Sequence, residues 1–202
     1  MIQRRACCFT LYDDGAVHRP EEALERLIVS TNKIGCFNQV PVGGGKESID
    51  LMCLAEDKSA SFIELKPWMS KDTPFYALIE SVKNLELYRL VEQGELADEL
   101  RMGAISLTVL APVEYYIGHG FEWSGGHFHG QAVLAVRRIL ESLCDLFNVQ
   151  INMAALNFSH DEFKGHCKKL VGKRKREDGN KVCVEDLPPI RQLHTDNWVE
   201  VL

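Results

Sequence analysis

The spacing of apolar positions along this chain changes period several times, and each change marks a boundary. Between His18 and Gly35 the apolar residues Leu24, Leu27 and Ile28 recur at the three-and-four spacing of one helix face. Pro20 suits a first helical turn, Glu21 and Glu22 suit its positive end, and Gly35 punctuates the far side. The period then drops to two. "CFNQVPV" reads as a short strand before the Gly43-Gly44-Gly45 break, and "SIDLMCL" and "SASFIELKP" read as two strands around a turn at Glu56–Ser59. Thr73 and Pro74 open a second helix that runs to Gly94 and is apolar around much of its circumference, as suits a helix packed between layers. "AISLTVLAPVEYY" predicts a further strand, and "SGGHFHGQAVLAVRRILESLCDLF" a third helix with Val136, Ile139, Leu140, Leu143 and Phe147 as its stripe. "VQINMAALNF" is a last strand; from Ser159 the chain turns polar and basic, and no further element is predicted. The order of helix, three strands, helix, strand, helix, strand predicts one α/β domain over residues 1–202, built around a central mixed sheet.

Within that order, "FIELKP" places charges at the end of an apolar strand. Successive side chains of a strand point to opposite faces, so Glu64 and Lys66 share one face and Ile63 and Leu65 the other. With the hairpin turn centred on Asp57, Met52 faces Phe62 and Asp50 faces Glu64, which brings Asp50, Glu64 and Lys66 to one side of the sheet. Opposed carboxylates destabilise a bare hairpin, and a divalent cation removes that penalty. Mg²⁺ takes one or two carboxylates together with water and substrate phosphate. A lysine beside it orients or deprotonates a water and offsets charge on a phosphate. The plainer alternative is a strand end that emerges into solvent with an ion pair worth under ~1 kcal/mol.

The run "SIDLMCLAEDKSASFIELKP", preceded by a glutamate-bearing helix and followed by a helix and a strand, resembles the core of the PD-(D/E)xK nuclease superfamily. These are the restriction-endonuclease-like proteins. The resemblance spans roughly residues 20 to 115 and implies an αβββαβ core, with residues 116–202 as an elaboration that adds a helix and a strand. It also implies Mg²⁺-dependent hydrolysis of DNA phosphodiester bonds, with Mn²⁺ as a substitute metal. Carried over, metal binding falls on Asp50 and Glu64, and assistance to the attacking water on Lys66. A first-helix glutamate completes such sites: Glu21 or Glu25, with Glu21 the preferred one. The second helix offers substrate contacts through Glu80 and Lys83, with Asn84 and Tyr88 also available. Many relatives work as dimers, so a homodimer is the expected assembly. A second class stays open, a nuclease-like fold that serves as a protein-interaction or regulatory module without turnover. The Asp50/Glu64/Lys66 set favours the first class and the acidic balance favours the second.

Composition adjusts this picture only in part. With 202 residues, 46% hydrophobic content, a formal net charge of -6 and a pI near 5.7, the chain is unsuited to coating nucleic acid non-specifically, though a local basic groove is compatible. The seven cysteines are scattered without a CxxC pair, and Cys36, Cys53 and Cys144 sit in apolar patterns, which predicts reduced thiols and a cytoplasmic location. The apolar stretch after Arg4 and Arg5 stops at Asp13-Asp14, too short for a signal peptide, and no run approaches the ~20 apolar residues of a membrane span. His119, His127 and His129 lie in "GHGFEWSGGHFHG" without zinc spacing and read as a surface loop. "GKRKRED" reads as a solvated basic loop, and the triple glycine before Lys46 lacks the Ser/Thr of a phosphate-binding loop.

Overall fold

The computed structural model of the chain describes residues 8–10, 17, 19–32, 35–42, 47–55, 59–92, 104–171, 181–183 and 190–202. The Gly43–Gly45 break, the Asp57 turn centre, Gly94 and the "GKRKRED" run lie outside these residues. In chain order the elements are β1 (Cys8–Thr10), α1 (Pro20–Thr31), β2 (Cys36–Pro41), β3 (Ser48–Leu54), β4 (Ala60–Leu65), α2 (Pro74–Glu92), β5 (Ile105–Pro112) and α3 (Val113–Gly118). They continue with β6 (Glu122–Ser124), β7 (His127–His129), α4 (Gln131–Phe147), β8 (Gln150–Leu156), α5 (His160–Val171), β9 (Lys181–Cys183), two short 3-10 turns and β10 (Val199–Glu200).

The protein is α/β, with a mixed six-stranded sheet in the order β10-β8-β5-β4-β3-β2. β2, β3 and β4 form an antiparallel meander, whereas β4, β5 and β8 run parallel because helical crossovers return the chain to the same end. Each face of the sheet carries a core. Leu24, Leu27 and Ile28 of α1 and Phe163 and Cys167 of α5 cover one face, and Ala77, Leu78 and Leu85 of α2 with Val133 and Leu140 of α4 cover the other. Burial on both faces explains why β5 reads as a nearly continuous apolar run rather than an alternating one.

Several sequence expectations change. The predicted strand through Tyr116 ends at Pro112, where the fixed φ of proline passes the chain into α3 and buries Tyr115 and Tyr116. The segment ahead of α4 is a β6–β7 hairpin turning through Gly125 and Gly126, both at positive φ. α5 exists although no helix was predicted beyond Ser159: Phe163 and Cys167, four apart, give it a narrow but fully buried stripe. The thiol reading is also corrected. Cys36 and Cys53 stand opposite each other in the β2–β3 register, 4.1 Å apart at Cα, and are joined by a disulfide. A cytoplasmic location therefore no longer follows from the cysteines. No helix among the described residues is long and apolar enough to cross a membrane.

Candidate active site

The β3–β4 register pairs Met52 with Phe62 and Leu51 with Ile63, and there the ladder stops. Asp50, one residue before it, turns its carboxylate toward the partner strand, and the Leu65 backbone N–H donates to its Oδ2 at 2.9 Å. Ile63 and Leu65 enter the α1-side core, so Glu64 alternates to the opposite side of β4. Lys66 follows the last residue of that strand. Its Nζ donates to Glu64 Oε1 at 2.9 Å and to Glu80 Oε2 of α2 at 2.7 Å, and lies 3.5 Å from Asp72 Oδ2. The loop that carries Lys66 is anchored by Trp68, whose Nε1–H donates to the Phe158 carbonyl at 2.8 Å and whose ring stacks on Phe163. Tyr115 adds a brace by donating from its hydroxyl to the Asp72 carbonyl at 2.8 Å.

On the α1 side, one oxygen from each of Glu21, Glu25 and Asp50 lies within 4.8 Å of the other two. Glu21 and Glu25 meet because positions four apart stack on one helix face, and that face looks onto the point where β3 leaves its ladder. Glu25 is almost fully buried, at 1% exposure, and its carboxylate accepts from Gln39 Nε2 at 2.9 and 3.0 Å and, more distantly, from Asn38 Nδ2. Both first-helix candidates thus belong to the cluster. Glu64 does not; its closest charged partner is Lys66. Glu80 is tied into the Lys66 network, whereas Lys83 pairs with Glu47 at 2.9 Å on the exposed side of α2. The edge of the cluster opens into a cleft of about 570 Å³ lined by Arg19, Glu21, Glu22, Glu25, Arg26 and Gln39 among others.

Charge is unevenly matched here. Glu21, Asp50, Glu64, Asp72 and Glu80 all lie in the field of one cation, Lys66, and Glu25 lies beside Glu21 and Glu22. Burial raises the carboxyl pKa of Glu25 to about 7, against the pull of the Gln39 and Asn38 amides. Burial raises Asp50 to about 7 as well, despite the Leu65 N–H, with Glu25 and Glu21 adding repulsion. Glu64 is lifted to about 9, by burial first and the Asp50 charge second. Burial opposes the Lys66 cation too, but Glu64 and Glu80 outweigh it and hold the ammonium above its ordinary range. Such a site either keeps protons or takes up positive charge from outside. A hard divalent cation fits it: the donors are all oxygens, clustered at ligating distance, with negative charge in excess of the local lysine.

No family model, curated protein or solved structure matches this chain. The histidines are placed plainly: His129 lies on the exposed β6–β7 hairpin, with Ser124 at 2.6 Å and Glu122 at 3.3 Å, and the described residues offer no metal-ligating cluster besides Glu21/Glu25/Asp50. Sequence reasoning missed Asn38, Gln39, Asp72 and Tyr115. For Asn38 and Gln39 a weak signal existed, two amides interrupting an otherwise apolar strand.

Proposed function

We propose that this protein is a Mg²⁺-dependent hydrolase of DNA phosphodiester bonds, built on a restriction-endonuclease-like core. The observation that carries this reading is the Glu21/Glu25/Asp50 cluster, with Glu25 and Asp50 buried and Glu21 at the cleft, and with Lys66 and Glu64 immediately beyond it. The order of elements supports it too, with α1, three antiparallel strands, a crossover helix and a parallel strand in the sequence of the αβββαβ core. Glu21, Glu25 and Asp50 would hold the cation, with Glu64 reaching it once freed from part of its contact with Lys66. When bound, Mg²⁺ supplies Lewis-acid stabilisation of the charge that builds on phosphate oxygens.

The remaining work falls to the chain's own residues. Lys66 keeps its proton, so it acts as a fixed positive charge that orients the attacking water and offsets charge on the phosphate, not as the base. Glu64, lifted to about 9 by burial and the Asp50 charge, holds a proton near neutral pH in the metal-free site. It would accept the proton of that water only in its ionised form, which added positive charge favours. Arg19 and Arg26, both paired with Glu22 at the cleft wall, would supply positive charge to the phosphates on either side. A cation held by the Glu21/Glu25/Asp50 cluster would reconcile an acidic chain with a polyanionic substrate.

A second reading draws on a different observation. Lys66 is already held by Glu64, Glu80 and Asp72, a closed network that equally suits a nuclease-like module used for protein interaction. Labelled single-stranded and duplex DNA incubated with Mg²⁺, Mn²⁺ or EDTA separates the two. Hydrolysis is expected only with metal, and Asp50→Asn is expected to lower the rate by more than ~100-fold, the upper end of what removing a residue behind a metal ligand costs. A metal-loaded protein that cleaves neither form supports the module.

A further inference from the structure

Gln39 is in an unusual place for its residue type. Its φ is +51°, in the left-handed region where glycine, asparagine and aspartate are the usual residues and where other L-residues are disfavoured by roughly 1–2 kcal/mol. It sits within β2, a strand that otherwise keeps extended geometry on both sides of it. The β2–β3 ladder pairs Asn38 with Leu51 and Val40 with Ile49 but leaves out the rung between them, at which Gln39 stands opposite Asp50. Strain of this kind points to a requirement at the position.

The requirement can be read from what the twist accomplishes. In a regular strand Asn38 and Gln39 would point to opposite faces. Here both amides reach the same carboxylate, that of Glu25 on α1. The side chains on either side confirm the inversion: Cys36 packs in the α1-side core and Val40 in the α2-side core, although positions four apart in an unbroken strand share a face. Gln39 Nε2 donates to both oxygens of Glu25, and its Oε1 accepts from the Ser48 hydroxyl at 3.0 Å. A single side chain therefore spans from α1 to the start of β3. An amide of this length is needed for both contacts, and a glycine would satisfy the backbone alone.

We propose that Gln39 is a positioning residue for the divalent-cation site: it fixes the orientation of the Glu25 carboxylate against Asp50, and the left-handed backbone is retained to deliver it. The proposal rests on the metal-dependent reading above. It predicts that the cost of losing Gln39 appears in metal affinity more than in folding, because a glycine relieves the backbone while a second-layer amide commonly contributes 10–100-fold to metal binding.

The test is Mn²⁺ titration by calorimetry on the full chain, for wild type, Gln39→Gly and Ser48→Ala, with metal-free thermal melts alongside. Gln39→Gly is expected to weaken Mn²⁺ binding at least ~10-fold while its metal-free melting temperature stays within a few degrees of wild type. Ser48→Ala, which removes only the anchor of the Gln39 amide, is expected to weaken binding by roughly threefold, and it decides the matter if the glycine variant does not fold. Wild-type affinity in Gln39→Gly, or in Ser48→Ala where that variant decides, overturns the role of Gln39 and leaves the metal site standing. A wild-type protein that binds no Mn²⁺ overturns the metal-dependent reading itself.

Discussion

Raising the pH from about 5 to about 9 is expected to destabilise the metal-free protein, and millimolar Mg²⁺ is expected to reverse the loss. The sign follows from the direction of the shifts. Glu25, Asp50 and Glu64 all have folded-state pKa values above their ordinary ones, so the folded protein binds protons more tightly than the unfolded chain. Their contribution to stability is complete below the ordinary carboxylate range. It declines as pH rises, to about pH 7 for Glu25 and Asp50 and about pH 9 for Glu64. For Glu25 alone, a lift from 4.5 to about 7 corresponds to roughly 3 kcal/mol, and the groups do not add independently because they titrate as a set. A cation that replaces those protons stabilises most where they are absent. At a free concentration near 100 times Kd it contributes about 2.7 kcal/mol, or roughly 5–10 °C in melting temperature for a chain of this size. Thermal melts with EDTA and with MgCl₂ across the range check this. A metal-free stability that rises toward pH 9, or a Mg²⁺ effect that is the same at both ends, contradicts it.

The second large effect concerns Lys66. Replacing it with methionine keeps most of the side-chain volume and removes the charge shared by Glu64, Glu80 and Asp72. Breaking one partner out of a buried ion pair typically costs about 3–5 kcal/mol, since Glu64 is left buried without compensation while Glu80 and Asp72 retain access to water. Lys66→Met is therefore expected to lose about that much in urea unfolding near pH 8, and distinctly less near pH 5, where the proton that Glu64 holds in the folded state costs least relative to the unfolded chain. Lys66→Arg is expected to fold but hydrolyse poorly, because a planar guanidinium cannot meet three carboxylates arranged around a point charge. A Lys66→Met variant as stable as wild type near pH 8 would show that the network does not bear on folding, and that Lys66 is a bystander.

How much of this was legible in the sequence depended on how local the cause was. Glu64 and Lys66 share a face because a strand has period two, and the hairpin register followed from one turn position; both are properties of a few consecutive residues. The first-helix glutamates were legible only as alternatives, Glu21 or Glu25 with Glu21 preferred, whereas the structure brings both of them to Asp50. Gln39 was illegible for the reason that makes it interesting, since the alternation rule fails at a left-handed residue and no local pattern announces one of that kind in a glutamine. Asp72 and Tyr115 reach the site from a loop and from α3, through contacts that depend on the finished fold. The Cys36–Cys53 bond needed the β2–β3 register, and α5 hid behind a polar surface, with Phe163 and Cys167 its buried side chains among the described residues. The β6–β7 hairpin was legible in principle, because Gly125-Gly126 supplies the two left-handed positions that a tight hairpin turn requires.

The measurement that bears most directly on the central claim is Mn²⁺ calorimetry near pH 8 on wild type, Glu25→Gln and Asp50→Asn, each with and without a short DNA duplex to complete the coordination. Saturable binding in wild type, weakened by more than ~10-fold in both variants, is the predicted result and places the cation between α1 and the start of β3. No binding in wild type even with DNA present, or affinities unchanged in the two variants, would contradict a metal site at Glu21, Glu25 and Asp50 and with it the hydrolytic reading.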